Sequence, residues 1–171
     1  MIAADAKRPF TAQSLPSHPL FEQLSSRHRH ILAECSMQAN FSAGDLVVET
    51  GKPANCFHLV ISGSIALEAR GDRSPTRVQV IGPGDILGWS WFFPPYYWHF
   101  NAVAEESTET IFFYGSRLSQ ECDRNHDLGY ELFKRMSQIL VGRLQTTREK
   151  WIEAAQYRPA RHGVPSDYLI I

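Results

Sequence analysis

The stretch FSAGDLVVETGKPANCFHLVISGSIAL, residues 41–67, decides the fold class of this chain. It contains short apolar segments that are separated by glycine-containing turns at residues 44–45, 51–53 and 63. Short apolar segments bounded by Gly, Pro, Asn or Asp are typical of β-strands. Gly63 lies between two of these segments, so we expect it to supply the positive φ of a tight turn.

The same pattern continues to residue 115 and predicts about seven or eight strands in about 75 residues. The clearest strand segments are 45–50, 56–63, 64–70, 76–82, 101–107 and 108–115. No helix of ten residues intervenes, which argues against a parallel α/β sheet. The pattern therefore predicts an antiparallel β-roll of the jelly-roll or double-stranded β-helix type.

Helical patterns precede and follow the roll, so the fold class is mainly β with α. Between residues 17 and 35, apolar residues recur three, four and seven positions apart, which predicts an N-terminal helix or helix pair. A second apolar stripe runs from residue 127 to about 157 and predicts a C-terminal helix about 45 Å long. We divide the chain into a flexible leader (1–16), a β-roll with its N-terminal helix (17–126), a long helix (127–157) and a short tail (158–171).

The long helix exceeds the width of the roll, so its distal half should project beyond it. Projecting apolar residues need a second helix to cover them, and we therefore expect a homodimer formed through this helix. The alternative is a helix that folds back on its own domain. The candidate dimer residues are Leu132, Met136, Leu140, Leu144 and Trp151.

The composition limits the partners and the environment of the protein. Seventeen Lys and Arg against 18 Asp and Glu give a net charge of −1, which indicates no general attraction to nucleic acid or to a membrane. Three widely spaced Cys fit neither a disulfide framework nor a zinc or iron–sulfur site. The longest apolar stretch, residues 86–100, is too short to span a bilayer. We therefore expect a cytoplasmic protein. We also expect no direct binding to DNA, because the sequence of residues 158–171 does not predict a helix pair.

Three segments resemble the cyclic nucleotide-binding domain family, the sensor half of catabolite-activator-type bacterial regulators. HPLFEQL (18–24) is similar to the opening helix of the family, residues 41–67 to its first strands, and GPGDILGW (82–89) to the G-x-G-x-x-F-G-E that begins its phosphate-binding cassette. The resemblance covers residues 18 to about 156. It implies a non-enzymatic regulatory domain in which a small molecule in the roll shifts the long helix of a dimer and so signals to a partner.

The sequence departs from the family at the two positions that hold the ligand. In the family, a Glu after the last glycine takes the ribose hydroxyl, and an Arg in an R-[ST]-A triplet pairs with the cyclic phosphate. Here Trp89 replaces the Glu, the triplet reads Phe100, Asn101, Ala102, and residues 86–103 contain no Lys, Arg, Asp or Glu. The loss of two charged contacts removes about 3–6 kcal/mol of binding free energy, and a buried phosphate would lack a partner charge. This degenerate cassette predicts that cyclic AMP does not bind through the family's contacts.

The segment WSWFFPPYYWHF, residues 89–100, contains eight aromatic residues in twelve. Three interpretations stay open: a pocket for a planar or apolar effector, aromatic side chains that fill the vacated cavity, or a surface for a protein partner. In a pocket, Ser90, His99 and Asn101 would be the polar groups that orient the ligand. The candidate ligand-binding residues are Gly88, Trp89, Ser90, Trp98, His99, Phe100, Asn101 and Ala102.

Two other function classes compete with the sensor. One is a dimeric protein–protein adaptor that needs no small-molecule effector. The other is a cupin-like metalloenzyme that would use His58 and His99 with Glu68 or Glu105, although the one H-x-H spacing is at residues 28–30, in the predicted N-terminal helix. Haem binding through His99 or His58 also stays open. We assign no catalytic residue, no metal site and no cofactor.

Overall fold

A computed structural model describes residues 10–69 and 74–156 of the chain. One short helix precedes the strands, and two helices follow them. The elements are α1 (Ser26–Glu34), β1 (Ser36–Phe41), β2 (Leu46–Val48), β3 (Cys56–Ser62), β4 (Ile65–Ala69), β5 (Thr76–Ile81), β6 (Ile86–Leu87), a 3₁₀ turn (Trp89–Trp91), β7 (Asn101–Ala104), β8 (Thr108–Tyr114), α2 (Gly115–Arg124) and α3 (His126–Gln156).

The strands form two four-stranded sheets in which every pairing is antiparallel. One sheet has the order β1-β8-β3-β6 and the other has the order β2-β7-β4-β5. Successive strands alternate between the sheets except for β4 and β5, which are neighbours in one sheet. The inward-facing side chains of both sheets, among them Phe57, Ile65 and Ile111, form one buried core. The predicted antiparallel β-roll with flanking helices is therefore confirmed.

Two strands were not expected from the sequence. Strand β1 alternates apolar Met37, Ala39 and Phe41 with polar residues between them, and it pairs along its whole length with β8. This period-two signal was overlooked in the sequence. Strand β6 pairs with β3 at His58 and Leu59 and, with two residues, is too short to show any periodicity.

The N-terminal helix is shorter than the sequence predicted. Helix α1 begins after Ser25, whose side chain accepts a hydrogen bond from the backbone N–H of His28. Residues 18–23 form turns instead, although Leu20 and Phe21 are fully buried. Of the predicted leader, residues 1–9 lie outside the described residues, whereas Leu15 is buried in the core. The described part of the leader is therefore packed against the fold.

Helix α3 has 31 residues and leaves the roll at about its middle. Leu132 and Met136, which we assigned to the dimer surface, are only 1% and 4% exposed within the chain itself. The two residues therefore belong to the core of the protomer, because the first half of α3 packs against α2 and the roll. Beyond it, Leu144 is 50% exposed and Trp151 is 70% exposed, so the distal half projects as expected. No helix within residues 10–69 and 74–156 is both long and apolar enough to cross a membrane.

The β3–β4 turn gives the first prediction. Gly63 has a φ of +81°, and a Cβ at this position would lie 2.5 Å from the carbonyl oxygen of Ser107. Gly44 has a φ of +88° but has no neighbouring atom within 4 Å of such a Cβ. We expect Gly44→Ala to cost about 1–2 kcal/mol from backbone strain alone, and Gly63→Ala to cost about 1–3 kcal/mol more from the clash. Urea denaturation of both variants measures the difference, and equal losses of stability would contradict the proposed clash.

Candidate functional site

The start of the aromatic segment is shaped by a close contact between Gly88 and Trp98. Gly88 follows β6 with a left-handed backbone, φ +103° and ψ 39°. A Cβ at this position would lie 2.7 Å from Cη2 of the Trp98 indole and 3.0 Å from the carbonyl oxygen of Cys56. A glycine is therefore needed here both for its backbone conformation and for the space that Trp98 occupies.

A cavity of about 130 Å³, which we call the aromatic cavity, opens between the roll and α3. It brings together six of the eight candidate ligand-binding residues. It is lined by Val48, Leu67, Val78, Gln79, Leu87, Gly88, Trp89, Ser90, Trp98, His99, Phe100 and Arg143.

The other two candidates do not line this cavity. The side-chain oxygen of Asn101 accepts a hydrogen bond from the backbone N–H of Thr50 at 2.8 Å. Ala102 is completely buried in the core. Both residues belong to β7, which pairs with β2 and β4. Their role is therefore in the structure of the sheet and not in the cavity wall.

Arg143 of α3 lines the cavity and was not found by the sequence reasoning. Its Nη1 donates a hydrogen bond to the carbonyl oxygen of Ile86 at 2.8 Å. Its Nη2 lies 3.4 Å from Oδ1 of Asp85 but makes no hydrogen bond within the described part of the chain. The expectation that an anion here would meet no positive charge considered residues 86–103 alone. Helical periodicity was the missed signal, because position 143 is two turns beyond the buried Met136 on the same face of α3.

The side chains of the aromatic segment lie in three different environments, and each environment corresponds to one of the three interpretations. Trp91 is buried and stacks on Phe57 at 5.6 Å between ring centroids, and Phe57 stacks in turn on Phe113 at 4.4 Å. Trp89 and Phe100 line the cavity instead. The exposed side chains of the segment are Phe93, Tyr96 and Tyr97, together with Trp89, which is 38% exposed at the cavity wall. The segment therefore contributes at once to the core, to a cavity wall and to the surface.

A second cavity, of about 230 Å³, lies on the other side of Trp98, beside β2 and β3. Trp98 and Val48 line both cavities, so the Trp98 indole helps to separate them. His58 lines this second cavity, is 1% exposed, and its Nδ1 lies 3.0 Å from the hydroxyl oxygen of Thr110. Burial lowers the pKa of His58 to about 4 and raises the pKa of the Cys56 thiol to about 12. At neutral pH both side chains are therefore uncharged, which suits core packing and not nucleophilic chemistry.

The candidate metal ligands are not assembled into a site. His58 and His99 line different cavities, and Glu105 forms an ion pair with Arg77. In the ranges 10–69 and 74–156, no three His, Cys, Asp or Glu side chains form a group that could hold a metal ion.

The structure is therefore a β-roll domain: two antiparallel sheets, with a short helix before them, a long helix after them and a cavity where the roll meets the long helix. The family model of the cyclic nucleotide-binding domain matches residues 38–125. This match spans about half of the chain and covers the two sheets almost completely. The chain belongs to the cyclic nucleotide-binding domain family.

Solved structures show the same fold. A cyclic nucleotide-binding domain from Methylobacillus flagellatus aligns with a TM-score of 0.68 and 17% identity over 84% of this chain and 79% of that one. The sensor domain of the transcriptional regulator DNR from Pseudomonas aeruginosa aligns with a TM-score of 0.61 and 23% identity over 74% and 91%. The regulatory subunit of a cAMP-independent protein kinase A from Trypanosoma brucei aligns with a TM-score of 0.60 and 23% identity over 74% and 45%. No curated protein sequence matches the chain.

The buried histidine gives the second prediction. The pKa of His58 falls from an ordinary 6.5 to about 4 in the folded state, so between these values the unfolded chain binds a proton that the folded chain does not. His58 therefore makes the free energy of unfolding decrease as pH falls from about 6.5 to 4, by about 3 kcal/mol in total. Below pH 4 this contribution levels off. Urea denaturation at pH 7 and at pH 4.5 measures the loss.

The control for this prediction is His58→Gln, which cannot titrate. Its own loss of stability between pH 7 and 4.5 reports all the other groups, so the difference between the two proteins isolates His58. An equal pH dependence in the two proteins would show that His58 is protonated as easily when folded as when unfolded.

Proposed function

We propose that this chain is a non-enzymatic regulatory domain that binds a small molecule in the aromatic cavity and transmits binding to α3. The observation that carries the proposal is the position of Arg143. This residue belongs to the long helix, lines the cavity, and donates a hydrogen bond to the backbone of β6 in the roll. A ligand that contacts Arg143 therefore acts on the connection between roll and helix. To switch the domain, the ligand must bind one arrangement of α3 more tightly than the other.

The effector of this domain is not a cyclic nucleotide bound through the family's contacts. Trp89 and Phe100 occupy the positions of the expected Glu and Arg, and both line the cavity. Of the twelve lining residues, Arg143 is the one with a permanent positive charge, and it comes from a different element than the cassette. The relative from Trypanosoma brucei, described as part of a cAMP-independent kinase, supports the idea that the fold serves regulation without cyclic AMP.

The third prediction concerns cyclic nucleotides. Thermal unfolding of the protein with 1 mM cyclic AMP or cyclic GMP should show no change in the midpoint, because the two charged contacts are missing. A ligand at one hundred times its Kd would add about 2.7 kcal/mol to stability, which raises the midpoint by several degrees in a domain of this size. Such a rise with cyclic AMP would contradict the proposal that the cassette has lost its nucleotide contacts.

We also propose that the distal half of α3 pairs with the same helix of a second copy. Leu140 is half-buried and Leu144 and Trp151 are exposed, and these three residues follow one another at four- and seven-residue intervals along one side of the helix. Apolar residues at such spacing are those that meet in a two-helix seam. Through this seam, a shift of α3 in one protomer would be passed to the other and to a protein partner.

A second candidate function is that of a constitutive dimeric adaptor. The exposed aromatic rings of Phe93, Tyr96 and Tyr97 favour it, because exposed aromatic side chains are frequent at protein interfaces. An adaptor would bind its partner with the same affinity whether or not the aromatic cavity is occupied. A sensor would change that affinity, or the geometry of its dimer, when a ligand enters the cavity.

The fourth prediction tests the seam. The double variant Leu144→Ala and Trp151→Ala should be monomeric at a concentration of about 50 μM by light scattering, because the apolar contacts of the seam are removed. Leu132→Ala is the matched control: it should lose about 2–5 kcal/mol of stability through a core cavity but should keep the mass of a dimer. A wild-type protein that is monomeric at this concentration would overturn the proposed seam.

A further inference from the structure

We infer that the ligand of the aromatic cavity is a single-ring aromatic acid whose ring lies among Trp89, Trp98 and Phe100 and whose carboxylate binds Arg143. This inference rests on the proposed function, since it names the class of small molecule that the sensor would bind. Three properties of the cavity support it: its size, the nature of its walls and its charge.

The size of the cavity fits one ring. The aromatic cavity measures about 130 Å³, and an apolar protein cavity of about 150 Å³ holds one benzene molecule. A purine joined to a ribose and a phosphate would need the walls to move apart. A six-membered ring with one small substituent fits the space as it stands.

The walls favour a flat apolar body. Val48, Leu67 and Leu87 contribute aliphatic surface, and the indoles of Trp89 and Trp98 contribute aromatic surface. Aromatic rings pack against one another in stacked or edge-to-face geometry and gain about 0.5–1.5 kcal/mol beyond the burial of their area. An aromatic ring is therefore preferred here over a saturated ring of similar size.

The charge of the cavity favours an acid. None of the twelve described lining residues carries a carboxylate, whereas Arg143 is a cation that is only 17% exposed. Its Nη2 forms an ion pair with the Asp85 carboxylate, 45% exposed, at 3.4 Å, but the two groups are not aligned for a hydrogen bond, so Nη2 has donor capacity left. Since Nη1 already donates to Ile86, the N–H groups of Nη2 are those that would donate to a carboxylate, in a charge-assisted hydrogen bond. A carboxylate on the ligand would complete the set of partners that Arg143 lacks.

The test uses the complete wild-type chain and three commercially available probes. Isothermal titration with benzoate, benzyl alcohol and cyclohexanecarboxylate separates the contribution of the charge from that of the aromatic ring. We expect benzoate to bind at least tenfold more tightly than benzyl alcohol, since a hydrogen bond to a charged group corresponds to a factor of ten or more. We expect it to bind about two- to twelvefold more tightly than cyclohexanecarboxylate, which keeps the charge but lacks the aromatic ring. Benzyl alcohol that binds as tightly as benzoate would overturn the role of Arg143.

Two variants locate the contact. Arg143→Gln should weaken the binding of benzoate at least tenfold and that of benzyl alcohol much less. The control Arg148→Gln, at an exposed position five residues further along α3, should change the binding of neither compound.

Because Arg143 also holds α3 to β6, its replacement could unfold the domain, and a second variant avoids this risk. Val78 lines the cavity and is 54% exposed on the edge strand β5. Val78→Glu should weaken benzoate several-fold by charge repulsion and leave the fold intact.

The outcomes separate this inference from the proposed function. If the acids fail to bind but neutral or cationic planar compounds raise the unfolding midpoint, the aromatic-acid inference is overturned and the sensor function stands. If no compound of either kind binds and none of them changes the geometry of the dimer, both the aromatic-acid inference and the sensor function are overturned. Benzoate affinity that Val78→Glu leaves unchanged would place the binding site elsewhere and overturn the inference.

Discussion

The arrangement of the roll and the long helix depends on the first half of α3, where Leu132 and Met136 are buried in the core, and on the hydrogen bond from Arg143 to the carbonyl oxygen of Ile86 that ends this contact. Strand β6 has only two residues, so its backbone has few partners of its own. By binding this short strand, Arg143 fixes the point at which α3 departs from the roll. Every residue from 144 to 155 is exposed, while on the same face Leu132 and Met136 are buried and Leu140 is half-buried. Arg143 therefore marks the boundary between the half of the helix that belongs to the core and the half that is exposed.

Most of the fold could be predicted from turns and alternation, because these signals are local. Glycine at position 63 and the strand segments around it marked the roll, and the long apolar stripe after residue 126 marked α3. Strand β1 could also have been found in this way, since Met37, Ala39 and Phe41 alternate with polar residues, whereas its pairing with β8 joins residues about 70 positions apart and has no local signal. Helix α1 was overestimated because Leu20 and Phe21 are buried from within turns, and apolar spacing alone does not distinguish such turns from a helix.

The candidate site was predictable only as far as it is contiguous. Six cavity residues lie between positions 88 and 100, so a search along the aromatic segment was enough to find them. Arg143 lies 43 positions beyond Phe100 and reaches the cavity because α3 packs across the roll. The cassette, where the family has a counter-charge, contains none here, and the cation comes through the tertiary structure from another element. Charge complementarity in a site of this kind depends on packing and cannot be judged from one segment.

The two kinds of cavity residue have different consequences for signalling. Contacts to Trp89, Trp98 and Phe100 contribute affinity, but these residues belong to the roll, and contacts made equally in both positions of α3 shift no equilibrium. Arg143 differs because it moves with the helix and because its hydrogen bond to Ile86 must lengthen if the helix departs. A ligand that engages the guanidinium changes the free energy of this connection directly. In the sensor that we propose, the aromatic walls therefore decide which molecule binds and how tightly, and Arg143 decides whether its binding affects the long helix.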